Sequence, residues 1–234
     1  MSDQSATDSS PAGWLPWLLQ LTDSQFPSGA YAHSSGLEEI VRLGVVKTPE
    51  DLMAFLRDQI TPGLVHFELP WLSRAHAAAA AGDVETLGSL DRELEAWKLP
   101  AETRLASTRM GRRRLALLQR LSDDPFLTSF AAAQTPGHQL TVCALELRHL
   151  PCEAACCAWA YQTFSGYCTA SLKLIRIGQE GSQGILRNAL ADIAPHLGSP
   201  REPADTPERI GWFNPLLEIA AMRHAISPER LFLS

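Results

Sequence analysis

The chain has 234 residues, of which 45% are hydrophobic and 20% are charged. This is an ordinary globular composition, and the length is sufficient for one large domain or two small ones with a sizeable core. The formal net charge of -6 argues against nonspecific binding of the whole surface to nucleic acid or to an anionic membrane, but it leaves room for a local basic patch.

The chain contains five cysteines, and both their odd number and their clustering disfavour a disulfide framework. We therefore expect reduced thiols in a cytoplasmic protein. The N-terminal residues lack the basic and apolar regions of a secretory signal. The longest apolar region, residues 152–177, is interrupted by charged and polar side chains, so it predicts a buried helix and not a membrane span.

Residues 1–13 are rich in Ser, Asp and Gly, and we expect a disordered leader before one domain of residues 14–234. The first strong helix signal is Thr48, which is followed by Pro49 and two acidic residues. This combination is typical of an N-cap and a first helical turn. Further along, Pro62 and the glycine that follows it predict an interruption of the helix.

The remaining helix predictions rest on apolar residues at helical spacing, on Pro and Gly boundaries and on helix-favouring composition. One predicted helix runs from Trp71 through the alanine run that follows it, and the others lie at residues 87–97, 101–121, 125–134, 138–149, 152–177, 186–197 and 215–225. No sustained alternation of apolar and polar residues indicates a strand. The sequence therefore predicts an all-α fold, a single-domain bundle of about ten helices.

The stretch DSQFPSGAYAHSSGLEE near the N-terminus combines acids, a turn, an aromatic residue, a histidine and serines. Its segment AHSSG approximates the G-x-S-x-G elbow of hydrolases, but that elbow requires a preceding strand, and a Pro/Gly turn precedes it here. We therefore interpret Ser35 as the N-cap of a helix and Glu38 as its capping-box partner. Capping leaves Tyr31 and His33 unexplained, and we expect these two residues to serve recognition.

A metal site is the second possibility that the sequence raises. Cys152 and Cys156 are one helical turn apart, and thiolates on one helix face could bind a soft metal ion. A structural zinc site normally adds a second, separated pair, and the chain contains no C-x-x-C motif. We predict buried thiols with no metal site, no cofactor and no catalytic residue, since the GxxxxGK[ST], GxGxxG and HExxH motifs are also missing from the sequence.

One predicted helix is strongly basic inside an acidic protein. Its arginines are Arg104, Arg109, Arg112, Arg113, Arg114 and Arg120. Arg109, Arg112 and Arg113 lie at positions i, i+3 and i+4, where like charges cost stability. A solvated face is the plain interpretation, but this cost also fits an acidic partner surface or an anion. If the patch at residues 112–114 faces an acidic partner, its binding should be sensitive to salt. Nucleic acid is disfavoured because no aromatic residues are interleaved.

Three stretches together resemble the UreF family of urease accessory proteins. The first is LLQLTDSQFPSGAYAHSSGLE, the second is ETRLASTRMGRRRL, and the third is NPLLEIAAMRH with SPERLFLS. The resemblance implies an all-α cytoplasmic protein that is not an enzyme. It implies a nickel-insertion chaperone that binds a UreD/UreH-type accessory protein, recruits or regulates the UreG-type GTPase and helps to assemble the nickel centre of apo-urease. It also allows a homodimer.

The resemblance and the residue patterns together give a set of candidate partner-binding residues. They are Tyr31, His33, Glu38, Arg104, Arg109, Arg112, Arg113, Arg223, His224, Arg230, Leu231 and Phe232. The last three belong to a C-terminal tail, residues 230–234, which the resemblance favours placing in a groove of a partner. The alternative that stays open is a protein that carries nickel directly through His and Cys side chains.

Overall fold

The computed structural model describes residues 11–23, 25–27, 29, 32–197 and 210–234. Within these ranges the chain forms helices and no strand. The helices are α1 (Pro11–Thr22), α2 (Leu37–Arg42), α3 (Pro49–Phe55), α4 (Thr61–Gly63), α5 (Leu69–Ala80), α6 (Val84–Trp97), α7 (Ala101–Leu121), α8 (Pro125–Ala132), α9 (Gln139–Glu146), α10 (Cys152–Leu174), α11 (Gln179–Ile193) and α12 (Pro215–Ala225).

The predicted all-α bundle of about ten helices is confirmed. Two π-helical segments, Leu56–Ile60 and Leu64–Glu68, join α3, α4 and α5 without a break, so these three count as one helix and the described chain has ten helices in one domain. The extent of the predicted leader, residues 1–13, stays a prediction. Residues 1–10 lie outside the described ranges, and α1 already begins at Pro11.

The predicted start of α3 at Thr48 is confirmed. The side chain of Thr48 accepts a hydrogen bond from Asp51 N at 3.1 Å, and the Asp51 carboxylate accepts one from Thr48 N at 3.0 Å. Pro49 is the first helical residue, where its missing N–H has no cost. This reciprocal capping satisfies two of the backbone donors that a helix start leaves unpaired.

The predicted interruption at Pro62 is wrong. The helix continues through this residue because the flanking turns widen to π-helical geometry, which accommodates a proline that cannot donate to the ladder. The widening leaves carbonyl groups available to the segment before α12. Asn214 Nδ2 donates to Gln59 O at 3.1 Å, and Gly211 N donates to His66 O at 3.2 Å. The irregular helix thus becomes the docking site for that segment.

The helix α10 lies at the centre of the bundle and packs against α1, α2, α5, α9 and α11. Its Phe164 is fully buried, and its Tyr167 donates a hydrogen bond to Ser35 O at 3.2 Å. This buried helix was predicted from its composition. No helix in the described ranges is long and apolar enough to cross a membrane. Because α7 packs on α9 and α12, and α12 packs on α2, the bundle brings the three family-like stretches side by side.

Candidate functional site

The C-terminal tail, residues 230–234, lies against the loop that precedes α2. Leu233 N donates a hydrogen bond to Ala32 O at 2.8 Å, and Ser34 N donates to Ser234 O at 2.6 Å. The hydroxyl of buried Ser34 donates a second bond to the same Ser234 oxygen at 3.0 Å. These bonds join the first and third family-like stretches through their main chains.

Glu38, the second residue of α2, holds the tail from the other side. Its Oε1 accepts a hydrogen bond from Leu231 N at 2.8 Å, and its Oε2 accepts one from Phe232 N at 3.0 Å. A carboxylate that receives two main-chain N–H groups makes strong, charge-assisted bonds. The position of the tail therefore depends directly on this one side chain.

The predicted capping box of Ser35 and Glu38 is wrong. Ser35 has a φ angle of 53° and Gly36, the residue at the N-cap, has a φ angle of 87°, so the chain enters α2 through a left-handed turn without a side-chain cap. The Glu38 carboxylate is instead used by the tail, and Glu38 N donates weakly to Ser34 Oγ at 3.4 Å. The left-handed φ explains the glycine at this point, because other residues adopt it at a cost.

His224 of α12 lies between two carboxylates and is only 1% exposed. Its Nε2 is 3.1 Å from Glu38 Oε2, and its Nδ1 is 2.9 Å from Glu102 Oε1 at the start of α7. Arg230 Nη1 lies 3.4 Å from the same Glu102 oxygen. We refer to Glu38, Glu102, His224 and Arg230 as the tail clamp. It contains residues of all three family-like stretches.

Two further candidate residues, His33 and Arg223, flank the tail clamp. His33 Nδ1 lies 2.6 Å from Ser234 Oγ, and burial lowers the pKa of His33 below its ordinary value. The nearby positive charge of Arg109 lowers the pKa further, while the charge of Glu102 raises it. His33 is therefore held toward its neutral form, which suits a hydrogen bond to a hydroxyl group.

Glu39 beside the clamp is a buried carboxylate with two arginine partners. Arg42 Nε lies 2.5 Å from Glu39 Oε2, and Arg223 Nε lies 2.6 Å from Glu39 Oε1. Burial alone would raise the pKa of Glu39, but the hydrogen bonds and charges of the two arginines bring it below its ordinary value. The Arg223 side chain stays half exposed, so it has a free edge for a partner.

A family model described as UreF matches residues 46–190 of the chain. The chain belongs to the UreF family. The urease accessory protein UreF of Azoarcus sp. (strain BH72) is 33% identical over 239 residues, which cover 95% of this chain and 97% of that protein. The UreF of Arthrobacter sp. (strain FB24) is 30% identical over 227 residues, covering 93% of this chain and 96% of that protein.

A larger relative is the bifunctional urease accessory protein UreEF of Bordetella bronchiseptica. It is 30% identical over 237 residues, which cover 100% of this chain and 55% of that protein. The whole chain thus corresponds to about half of that relative. The family that the three stretches indicated is confirmed, and the chain is a urease accessory protein of the UreF family.

In this UreF-family chain the candidate arginines of α7 have different surroundings. Arg109, Arg112 and Arg113 are exposed, and Arg112 Nε donates to Pro136 O at 2.9 Å. Arg113 lies beside Gly29, where a Cβ would be 3.3 Å from its Nη1. Arg104 instead ties α7 to the end of α6, because its Nη1 donates to the carbonyls of residues 98 and 99 at 2.6 Å.

The predicted basic patch of residues 112–114 is wrong for Arg114, which is buried. Arg114 Nε donates to Glu146 Oε2 at 2.5 Å, its Nη2 donates to Leu21 O at 3.1 Å, and its guanidinium lies 4.9 Å from the Phe26 ring centre. Burial raises the pKa of Glu146 to about 7, against the opposing charge of Arg114. The exposed patch of the second stretch is therefore limited to Arg109, Arg112 and Arg113.

The small residues of the second stretch have a packing role that the sequence did not reveal. A Cβ on Gly111 would lie 2.1 Å from Gly137 O, so only glycine permits this approach of α7 to the loop before α9. Ser107 Oγ lies 3.1 Å from Nδ1 of His138, and Asp91 accepts a bond from His138 N at 3.0 Å. These contacts place α7, and with it Glu102, in the bundle.

The tail presents alternate residues to its own domain and to solvent. Phe232 is 6% exposed and lies under Lys173 Nζ, which is 5.2 Å from its ring centre. Leu231 and Leu233 are 70% and 63% exposed. Phe232 therefore packs within its own domain, while the two leucines remain available to a partner. The candidate Tyr31 lies outside the described residues.

Sequence reasoning missed Glu102 as a member of this site. Glu102 stands at the start of the second stretch, which was the only sequence signal for it. Ser34 and Ser234 belong to the first and third family-like stretches, but no local pattern indicated their contact, because the two residues are 200 positions apart.

Proposed function

We propose that this chain promotes the assembly of the nickel centre of urease. In this proposal it binds a UreD/UreH-type accessory protein, recruits or regulates the UreG-type GTPase and acts on apo-urease in the cytoplasm. Membership of the UreF family supports a role in urease maturation. The observation that carries the more specific proposal is the tail clamp, because it fixes exposed apolar residues of the tail in a defined position.

The proposed binding face for the accessory protein combines the tail with the outer side of α12. Ile219 and Met222 of α12 are 54% and 51% exposed, and Ile226, which directly follows the helix, is 84% exposed. Leu231 and Leu233 of the tail are two further exposed apolar side chains. Because contiguous exposed apolar patches mark protein–protein interfaces, we propose that these side chains together form one.

Positive charge borders this apolar face. Arg223 and Arg230 have side chains that are 51% and 42% exposed, although each is ion-paired at one edge. An apolar centre with an arginine-rich border is the usual arrangement of an interface core and rim. We propose that the accessory protein presents apolar side chains to the leucines and carboxylates to the arginines.

The exposed arginines of α7 supply a second proposed contact. Arg109, Arg112 and Arg113 lie on one side of α7 at spacings that bring their charges together. The chain has no phosphate-binding loop, so GTP hydrolysis would be the work of a recruited GTPase. We propose that these arginines meet an acidic surface of that GTPase or of the accessory protein, with no role for nucleic acid or membrane.

The relative named UreEF gives this proposal independent support. A chain that joins a UreF-like part to another urease accessory part is expected when the two parts act in one assembly. A homodimer is compatible with the same assembly. The alternative, direct carriage of nickel by His and Cys side chains, has no support from the described residues, among which no three His, Cys, Asp or Glu side chains are grouped for a metal ion.

A co-purification experiment tests the proposed face. The chain is co-expressed with a tagged UreD-type protein, and the same experiment is run with the Leu231→Ala/Leu233→Ala variant and with Leu43→Ala as a control at another exposed leucine. We expect the wild type and the Leu43→Ala control to co-purify with the tagged protein, and we expect the tail variant not to do so. Retention of the tail variant at the wild-type level would reject this face, and absence of any complex would reject the proposed partner.

A further inference from the structure

A cluster of three small polar side chains lies at the contact of α10 with α5, separate from the tail clamp. Cys152 is the first residue of α10, and Cys156 follows one turn later. Cys152 Sγ lies 3.5 Å from Ser73 Oγ of α5, and the same oxygen lies 3.7 Å from Cys156 Sγ. Both cysteines are free thiols. Two thiols therefore converge on one hydroxyl group.

The sequence alone predicted no metal site at these thiols, but from their convergence on Ser73 we propose that Cys152 and Cys156 form a two-coordinate site for a soft, monovalent metal ion, with Cu⁺ as the representative ion. Residues at i and i+4 on a helix have Cβ atoms about 5–6 Å apart and side chains on the same face. Metal–thiolate bonds are about 2.3 Å long, so two of them in line span about 4.6 Å, a separation that two such side chains can reach. Soft thiolate ligands select Cu⁺ over harder ions.

The binding step is a simple exchange without electron transfer. Each thiol releases its proton to water, and one S–Cu bond forms in place of each S–H bond. The product is a bis-thiolate complex with a charge of minus one for the two sulfurs and the ion together. The first turn of α10 supports this charge, because unpaired N–H groups at a helix start stabilise negative charge. No third ligand is needed, since linear coordination completes the site.

The fixed helix disfavours the other reactions of a cysteine pair. A disulfide requires Cβ atoms about 3.5–4.5 Å apart, which residues at i and i+4 do not reach without distortion of the helix. Zinc requires about four ligands, and the described residues hold no group of three His, Cys, Asp or Glu side chains for it. Nickel would face the same lack of ligands. The pair thus fits an ion that binds stably with two sulfur ligands.

The surroundings give the site an entrance and a supporting group. Cys152 is partly exposed, whereas Cys156 is only 5% exposed, so an ion would enter at Cys152 and be covered at Cys156. Ser73 Oγ currently donates to Leu69 O at 2.9 Å. When the thiols are replaced by thiolates, this hydroxyl can turn to donate to a sulfur, as outer groups do around metal ligands.

The site is remote from the proposed partner face. Tyr167, which contacts the loop before α2, lies fifteen positions after Cys152 on the same helix, a distance of about 22 Å along its axis. Binding of a soft ion is therefore a property that can be tested independently of urease maturation.

The test is an anaerobic Cu⁺ titration of the full chain in competition with the chelator bicinchoninate. We expect one Cu⁺ per chain, and we expect the apparent affinity to fall by more than about 100-fold in Cys152→Ser and in Cys156→Ser, since even outer-shell changes cost about 10–100-fold. Cys157→Ser, an exposed neighbour on the same helix, is the matched control and should bind as the wild type does. Ser73→Ala should weaken binding by about 10-fold.

A second measurement needs no variant and so does not depend on variants that fold. Bound Cu⁺ should protect Cys152 from alkylation by iodoacetamide while exposed Cys157 still reacts, as peptide mass spectrometry would show. The proposal is overturned if the wild type holds no Cu⁺ against bicinchoninate, if Cys157→Ser binds as weakly as Cys152→Ser, or if Cys152 reacts equally with and without the ion.

Discussion

Glu38 Oε2 and His224 Nε2 lie 3.1 Å apart, although the two residues are 186 positions apart in the chain. This contact joins the first helix after the N-terminal loop to the last helix of the bundle. The same carboxylate accepts the main-chain N–H groups of Leu231 and Phe232. One side chain therefore links the histidine of α12 to the tail, and its removal should release both.

Substitution of Glu38 by glutamine should destabilise the fold. The glutamine amide keeps one acceptor oxygen but places an NH₂ group against an N–H donor. The hydrogen bonds to a charged group are also lost. We therefore expect a loss of about 2–3 kcal/mol in the free energy of unfolding. Urea denaturation measures it. The control Glu50→Gln changes an exposed acid of α3 and should shift stability by less than about 0.5 kcal/mol. Equal effects of the two variants would contradict the clamp.

The tail should divide into stabilising and binding residues in alternation. Phe232→Ala removes a buried ring and should cost about 3 kcal/mol of stability. Leu231→Ala/Leu233→Ala changes exposed side chains and should leave the melting temperature nearly unchanged, while it weakens binding of the accessory protein by about 10-fold or more. Thermal melting and a binding titration separate the two effects. A Phe232→Ala variant with wild-type stability would show that the tail is not packed as described.

The arginines of α7 should separate in the same way. Arg112→Ala and Arg113→Ala should change stability by less than about 0.5 kcal/mol, because both side chains are exposed. At low salt the two substitutions should weaken partner binding. At high salt they should change it little, since screening already removes exposed charge interactions. Arg114→Ala leaves buried Glu146 without its partner and should cost about 3–5 kcal/mol. A larger loss of stability in Arg112→Ala than in Arg114→Ala would refute this assignment.

His33 should give a measurable dependence of stability on pH. Its folded-state pKa lies below the ordinary value because of burial and of Arg109, so the unfolded chain binds more protons between the two pKa values. The free energy of unfolding should therefore rise as pH increases through that window, up to about pH 7. His33→Asn should reduce this rise, and Arg109→Ala should reduce it partly. A rise that is identical in all three proteins would exclude His33 as its source.

Local patterns predicted much of the fold, because the information for a helix start or a helix face lies within a few residues. The signals at Thr48 and Ser35 show the limit. Both fit a capping pattern, but only Asp51 turns back to its own helix, whereas Glu38 bonds to the tail. The competing donors at residues 231 and 232 are distant in sequence, and no local pattern reveals them.

The candidate site shows the same division between local and distant information. Sequence placed Arg112, Arg113 and Arg114 together because they are neighbours, but burial depends on which helix packs where. Only the third arginine faces α9, where Glu146 meets it. The Pro62 region is a further case, because a proline disrupts the ordinary helical ladder but is tolerated where π-helical turns and a docked segment use the freed carbonyls.

The most direct test of the proposed role is the reconstitution of urease activity from apo-urease, nickel, GTP, a UreD/UreH-type protein and a UreG-type GTPase. The assay is run with this chain, without it, and with the Leu231→Ala/Leu233→Ala variant. We predict activation that requires the chain and is strongly reduced by the tail variant. Equal activation with and without the chain would contradict the proposal.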